Sequence, residues 1–203
     1  ATRRDVDKTM ADPLKAIVGL GNPGPEYALN RHNAGALWIQ YLAIRHNVQL
    51  RAEKRFHGIY GKLPVAQSEV HLLFPSTFMN RSGMAVHSLS HFFKIPPKNI
   101  LVAYDELDLE PGSLRLKKGG GHGGHNGLRD IVKAFGGDKD FPRLRFGIGH
   151  PGDKTLVTKH VLSNFSKTQF EQLEDLFAEI DNHLSDLITG HWSSAMNQLH
   201  RKT

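Results

Sequence analysis

Short apolar runs interleaved with helical patterns constrain this chain more than any other feature of its sequence. Lys15–Leu20 reads as a buried strand that stops at the turn Gly21-Asn22-Pro23-Gly24-Pro25. Ile100–Tyr104 is a second β run and ends at the acidic cluster Asp105-Glu106-Leu107-Asp108. Phe56–Leu63, Glu69–Phe74 and Leu144–Ile148 are further strands. Ser113–Lys118 alternates Leu114 and Leu116 with Arg115 and Lys117, as a half-exposed strand does. Among them, Ala34–His46 is expected to be helical with Leu37, Tyr41 and Ile44 on one face. Met79–Lys94 is a second helix, stopped by Pro96-Pro97. Strands that alternate with helices predict an α/β domain with a mixed sheet, whose site gathers where strand ends meet polar loops.

The last long helix is the most sharply marked. Ser166 and Gln169 make a capping-box pattern, then Phe170, Leu173, Phe177, Ile180, Leu184 and Leu187 follow at helical spacing, and Gly190 closes the helix. A length of 203 residues suits one domain with a sizeable core, and no internal repeat divides it. That domain is expected over residues 14–203, after a flexible, polar and aperiodic extension over residues 1–13. Met10 is a candidate natural start, with the residues before it either foreign to the natural chain or a disordered extension.

Gly119–Gly127 holds six glycines in nine residues, with His122, His125 and Asn126 among them. Ordering such a run loses much backbone entropy, so it predicts torsions with φ > 0 or backbone N–H groups close to a ligand. It lies between Lys117-Lys118 and the amphipathic start Leu128-Arg129-Asp130-Ile131-Val132, a place where anions bind. A flexible linker would carry Ser, Glu and Gln instead. Charge concentrates in the same region. From residue 113 to 145 eight basic residues stand against three acids, whereas from 166 to 190 six acids stand against Lys167 alone. In a chain of net charge +6 this basic stretch resembles a phosphate-backbone footprint, with a merely solvated face as the plainer alternative.

The absence of cysteine excludes disulfides, thiolate catalysis and Cys-type zinc sites, and suits a reducing compartment. No apolar run approaches the ~18 residues of a membrane span, and no secretory signal is visible. Gly19-Leu20-Gly21-Asn22-Pro23-Gly24 matches the dinucleotide pattern G-x-G-x-x-G. Pro23 removes an N–H that a pyrophosphate would need, however, and no acid between Tyr27 and Ala52 could meet a ribose. There is no G-K-[ST] and no G-x-S-x-G. A metal site is a rival reading, since His122 and His125 are spaced like ligands and Asp105 could complete the set, although glycine on every side braces those imidazoles poorly.

Five polar residues at turns suggest other chemistry. Asn22 follows the first strand, and His32 sits at the helix entrance Asn30-Arg31-His32-Asn33-Ala34-Gly35. Asn80 follows Thr77-Phe78-Met79, Asp105 ends a strand, and Asn126 sits near the end of the glycine run. One His, one Asp and several carboxamides can make a water-activating hydrolase that needs no protein nucleophile. The His accepts water's proton, the Asp fixes its tautomer, and the amides hold the water or donate to an oxyanion. Residues of these types are also common caps and turn formers, and the sequence alone does not make them converge.

Six runs in register resemble the bacterial-type peptidyl-tRNA hydrolases. They are Ile17–Gly24 with Tyr27, Arg31–Gly35, Thr77–Gly83, Asp105–Asp108, Gly119–Gly127 and Arg143–Gly152, and the similarity runs from about Leu14 to the C-terminal region. The resemblance implies a single three-layer α/β domain with a twisted mixed sheet flanked by helices. It implies hydrolysis of the ester joining a peptide to the 3′-terminal ribose of tRNA, which returns tRNA to translation. His32 would be the general base and Asp105 its orienting partner. Asn22 and Asn80 would position substrate, and Asn126 would help hold the water or oxyanion. Tyr27, Met79 and His125 would line the peptide cleft, and Lys117, Arg143 and Arg145 would meet tRNA phosphates. A cytoplasmic monomer with no metal and no cofactor is implied as well. Two points depart: Tyr104 stands where His is frequent in relatives, and the region before Met10 has no counterpart. An RNA-binding protein without catalysis and a nucleoside- or phosphate-handling enzyme are the competing functions.

Overall fold

The apolar runs of the sequence become the inner strands of one sheet. The structure, a computed structural model, describes residues 11–199. In chain order these form β1 (Ala16–Gly19), α1 (Ala34–Arg45), β2 (Arg51–Glu53), β3 (Gly58–Val65), β4 (Ser68–Pro75), α2 (Ser82–Phe93) and β5 (Ile100–Glu106). There follow β6 (Leu114–Lys117), α3 (Asn126–Ala134), β7 (Arg143–Gly147), α4 (Val157–Val161), α5 (Lys167–Asn182), α6 (Leu184–Thr189) and α7 (Trp192–Leu199). The seven strands lie in the order β2-β3-β4-β1-β5-β7-β6. β1 runs parallel to both β4 and β5, and β5 runs parallel to β7, while the outer pairs are antiparallel. β1 is buried at every position, as a strand covered on both faces must be.

Alternate strand residues feed two cores. Ile17, Leu101, Leu144 and Phe146 face α1 and α5–α7, where Trp38, Leu173, Phe177 and Trp192 pack. Val18, Val102 and Tyr104 face α2 and α3, where Val86, Leu89, Leu128 and Ile131 pack. The helix that follows β1 thus covers one face and the helix that follows β4 covers the other. Adjacent parallel strands whose connections part in this way open a crevice at their C-terminal ends.

A close backbone approach sets the rotation of α1. A Cβ on Gly19 would stand 2.2 Å from the Gly35 carbonyl oxygen, and one on Gly35 would stand 2.1 Å from that of Ala103. These glycines of the G-x-G-x-x-G run and the helix start therefore serve helix–strand contact, with no nucleotide required. The contact also corrects the expected helix face. Trp38, Ile39 and Leu42 are the residues turned inward, Leu37 and Tyr41 pack at the margin, and Ile44 is 84% exposed.

The capping box forms as expected, with Ser166 Oγ accepting from Gln169 N–H. The helix is broken once, at His183, into α5 and α6, and Gly190 ends α6 at φ 91°. Of the expected flexible extension, residues 1–10 lie outside the described residues. Ala11 is not loose: its N–H donates to the Gly190 carbonyl at 2.7 Å, and Asn99 donates to the Pro13 carbonyl at 2.7 Å.

Candidate active site

The crevice brings together residues from the β1–α1, β4–α2 and β6–α3 connections and from the end of β5. His32 lies in a single 3-10 turn immediately before α1, and Asp105 lies near the C-terminal end of β5. His32 Nδ1 stands 2.8 Å from Asp105 Oδ2. On its other oxygen, Oδ1, Asp105 meets His125 Nε2 at 2.9 Å. Asp105 is buried, and a buried carboxylate without partners would cost several kcal/mol. Burial pushes its pKa up, but the charges and hydrogen bonds of His32 and His125 outweigh burial and hold it well below the usual carboxylate range. Asp105 is therefore an ionised acceptor that takes an N–H from each imidazole.

The two histidines are not equivalent. His125 caps α3, and its Nδ1 accepts the Leu128 N–H at 3.3 Å. Its proton is therefore on Nε2, donated to Asp105, and neither nitrogen is left to act as a base. His32 has only Nδ1 engaged with Asp105, which leaves the Nε2 lone pair for the cleft it lines. Burial lowers its affinity for a proton, and the Asp105 charge and hydrogen bond more than reverse this, so its pKa is raised. The same tautomer argument bears on metal binding. His32, Asp105 and His125 do cluster as potential ligands. A cation on His125 Nε2 would have to displace its proton while Nδ1 still accepts an N–H, leaving an imidazolate. The His122–His125 pair of the rival metal reading does not join this cluster among the described residues, and His122 Nδ1 accepts Gly124 N–H within its own loop at 3.0 Å.

Asn22 is oriented with equal care. Met79 N–H donates to Asn22 Oδ1 at 2.7 Å, which leaves the amide NH2 as a donor into the cleft. Asn33, not singled out from sequence, fixes the Asn22 backbone by a reciprocal pair: Asn22 N–H to Asn33 Oδ1 at 2.9 Å and Asn33 Nδ2 to Asn22 O at 3.0 Å. Met79 is buried and packs so closely on Gly127 that a Cβ there would stand 2.5 Å from its Sδ. Asn80 and Asn126 line the same cleft, of about 260 Å³, and Arg129 donates to Asn126 Oδ1 at 3.5 Å.

Other expectations need revision. His125 is a cleft residue, but its ring is tied to Asp105 and to the α3 N-terminus. Tyr27 packs edge-on against Phe78 at 6.3 Å, and Phe78, which sequence reasoning passed over, lines the cleft. So do Val157, Val161 and Leu162 of the α4 region. Lys117 is exposed, as a phosphate contact requires. Arg143 is 0% exposed and donates to backbone carbonyls of the glycine run, so it is no phosphate contact. Arg145 is partly buried and pairs with Glu106 at 3.5 Å.

A mixed α/β sheet whose strand ends gather a histidine paired with a carboxylate and an amide donor has the groups that a hydrolase needs. A family model described as Peptidyl-tRNA hydrolase matches residues 16–203. Peptidyl-tRNA hydrolase of Hahella chejuensis is 62% identical over 191 residues, covering 94% of this chain and 98% of its own. That of Azotobacter vinelandii is 52% identical over 189 residues, covering 93% of this chain and 97% of its own. A crystal structure of peptidyl-tRNA hydrolase from Acinetobacter baumannii is similar at TM-score 0.89 and 45% identity, covering 94% of this chain and 96% of that one. This chain belongs to the peptidyl-tRNA hydrolase family. No helix among its described residues is long and apolar enough to cross a membrane.

Proposed function

We propose that this enzyme cleaves the ester between a peptide and the 3′-terminal ribose of tRNA, with His32 Nε2 as the general base. The observation that carries this reading is the asymmetry of the two histidines on Asp105: one ring is fully engaged and the other keeps a free lone pair at the cleft. A water held between His32 Nε2 and the ester carbonyl loses a proton to the imidazole as its oxygen attacks. Asp105 stabilises the imidazolium, and the Asn22 NH2 donates to the developing oxyanion. Collapse of the tetrahedral intermediate breaks the bond to the ribose 3′-oxygen, which takes the proton back from His32. Water and base suffice, so no cofactor enters.

Asn80 and Asn126 hold the peptide and the water, Tyr27 supports the cleft wall through Phe78, and Met79 forms its floor. Lys117, which is exposed, contacts the acceptor-end phosphates, with Arg145 a partly shielded second. Such an enzyme acts as a monomer in the cytoplasm, where translation leaves its substrate. Purified protein should release tRNA from N-blocked aminoacyl-tRNA and spare the unblocked form; equal cleavage of both, or of neither, would contradict the assignment.

A further inference from the structure

We propose that Arg143 is a positioning residue of the active site, acting through the glycine run and Tyr104 on the ring of His125. Arg143 opens β7 and is fully buried. A buried guanidinium must find acceptors for its N–H donors, and here it finds four backbone carbonyls. Nη1 donates to Gly121 O at 2.6 Å, and Nη2 donates to Gly120 O and to Lys139 O at 3.0 Å. Nε donates to Phe141 O at 3.4 Å, and Tyr104 is near enough for its hydroxyl and the guanidinium to influence one another's charge. The guanidinium carbon also lies 4.3 Å over the Phe141 ring. With its donors turned to carbonyls and no exposure, the group is not available to a ligand. It is placed to hold a loop.

The loop needs holding. A Cβ on Gly121, Gly123 or Gly124 would meet nothing within 4 Å, so the crest of the run has no packing of its own. Its beginning is fixed by Arg143 at Gly120 and Gly121, and its end by His125. Tyr104 links the two: its hydroxyl lies near Arg143, and its ring stands edge-on to the His125 ring at 5.0 Å and 64°. From His125 the connection continues to Asp105 and His32. Misplacing this chain by a fraction of an ångström moves Asn126 and Asp105 relative to the water and leaves tRNA's contacts untouched.

The proposal rests on His32 as the base, and Arg143→Lys tests it. A lysine keeps the charge but offers three donors from one point, so it cannot serve carbonyls arranged around a planar fork. Two substrates are compared, N-blocked aminoacyl-tRNA and the same ester on a short oligoribonucleotide. We expect kcat to fall ~10–100-fold on both, with KM for the tRNA substrate within about twofold of wild type and the slope of log(kcat/KM) against log[salt] unchanged. The His125 side-chain nitrogen signals should shift while keeping the Nε2–H pattern, because Leu128 N–H still holds Nδ1 as an acceptor. Tyr104→Phe, which keeps the ring and loses only the hydroxyl, should reproduce part of the kcat loss, and it decides alone if Arg143→Lys does not fold. Full kcat on the oligoribonucleotide ester, with a weaker KM for the tRNA substrate alone, would overturn the proposal in favour of a phosphate contact. Unchanged kinetics in both variants would also overturn it. His32→Ala run in parallel separates the failures: full activity there sinks the general-base reading, whereas its inactivity beside unaffected Arg143 and Tyr104 variants sinks only the positioning role.

Discussion

His32→Ala should lower the turnover of N-blocked aminoacyl-tRNA by ~10²–10⁴, with KM and melting temperature close to wild type. The loss is confined to kcat because the imidazole acts on water's proton in the transition state and carries none of the substrate's ground-state binding. The fold should survive. Asp105 keeps its bond from His125 at 2.9 Å, so the buried carboxylate is not orphaned, and the His32 side chain is 11% exposed, so its removal leaves no sealed cavity. Steady-state kinetics and a thermal melt on the same preparation check both halves. A variant within a factor of about three of wild type would remove His32 from the role of base.

Asp105→Asn should be as damaging, ~10²–10⁴ in kcat, for a reason specific to this site. Asp105 accepts from two imidazoles at once, and an amide can accept on one side only. His125 cannot change tautomer without setting its Nδ1–H against Leu128 N–H. The oxygen of the introduced amide therefore takes the His125 proton, and its NH2 faces His32. His32 Nδ1 must then become an acceptor, its proton moves to Nε2, and the lone pair that should take water's proton is gone. The side-chain nitrogen spectrum of His32 should show Nδ1–H in wild type and Nε2–H in Asp105→Asn. A variant with wild-type turnover, or with an unchanged His32 tautomer, would refute the shared-acceptor account.

Much of this was legible beforehand, and the limits have physical causes. β1 and β5 announce themselves because strands buried on both faces must be apolar throughout. Ser166 and Gln169 announce α5 because a capping box is local chemistry. The β3–β4 hairpin gives no such sign. Its two-residue turn puts Ala66 and Gln67 at φ 49° and 64°, a place where Asn-Gly is usual, so its strand ends could not be fixed from residue type. The face of α1 depends on Gly19 meeting Gly35, a contact between elements that no helical periodicity reveals. In the site, His32, Asp105 and the asparagines were visible as polar residues at strand ends. The role of Asn33 was not, because a buried amide that holds another amide looks like any turn residue. Arg143 misled for a related reason: charge is read from sequence as surface, and only burial shows that its partners are carbonyls.

The central claim is that His32 Nε2 must be unprotonated for water to be activated. The most direct test is the pH profile of kcat/KM on N-blocked aminoacyl-tRNA, superposed on the titration of the His32 ring followed by NMR. Burial alone would move the ring below its ordinary value of 6.5, but the Asp105 charge and hydrogen bond move it above. Activity should therefore rise with pH through a single acid limb above 6.5 that coincides with the loss of the His32 proton. An acid limb that departs from the His32 titration, or that persists unchanged in the residual activity of His32→Ala, would contradict the account.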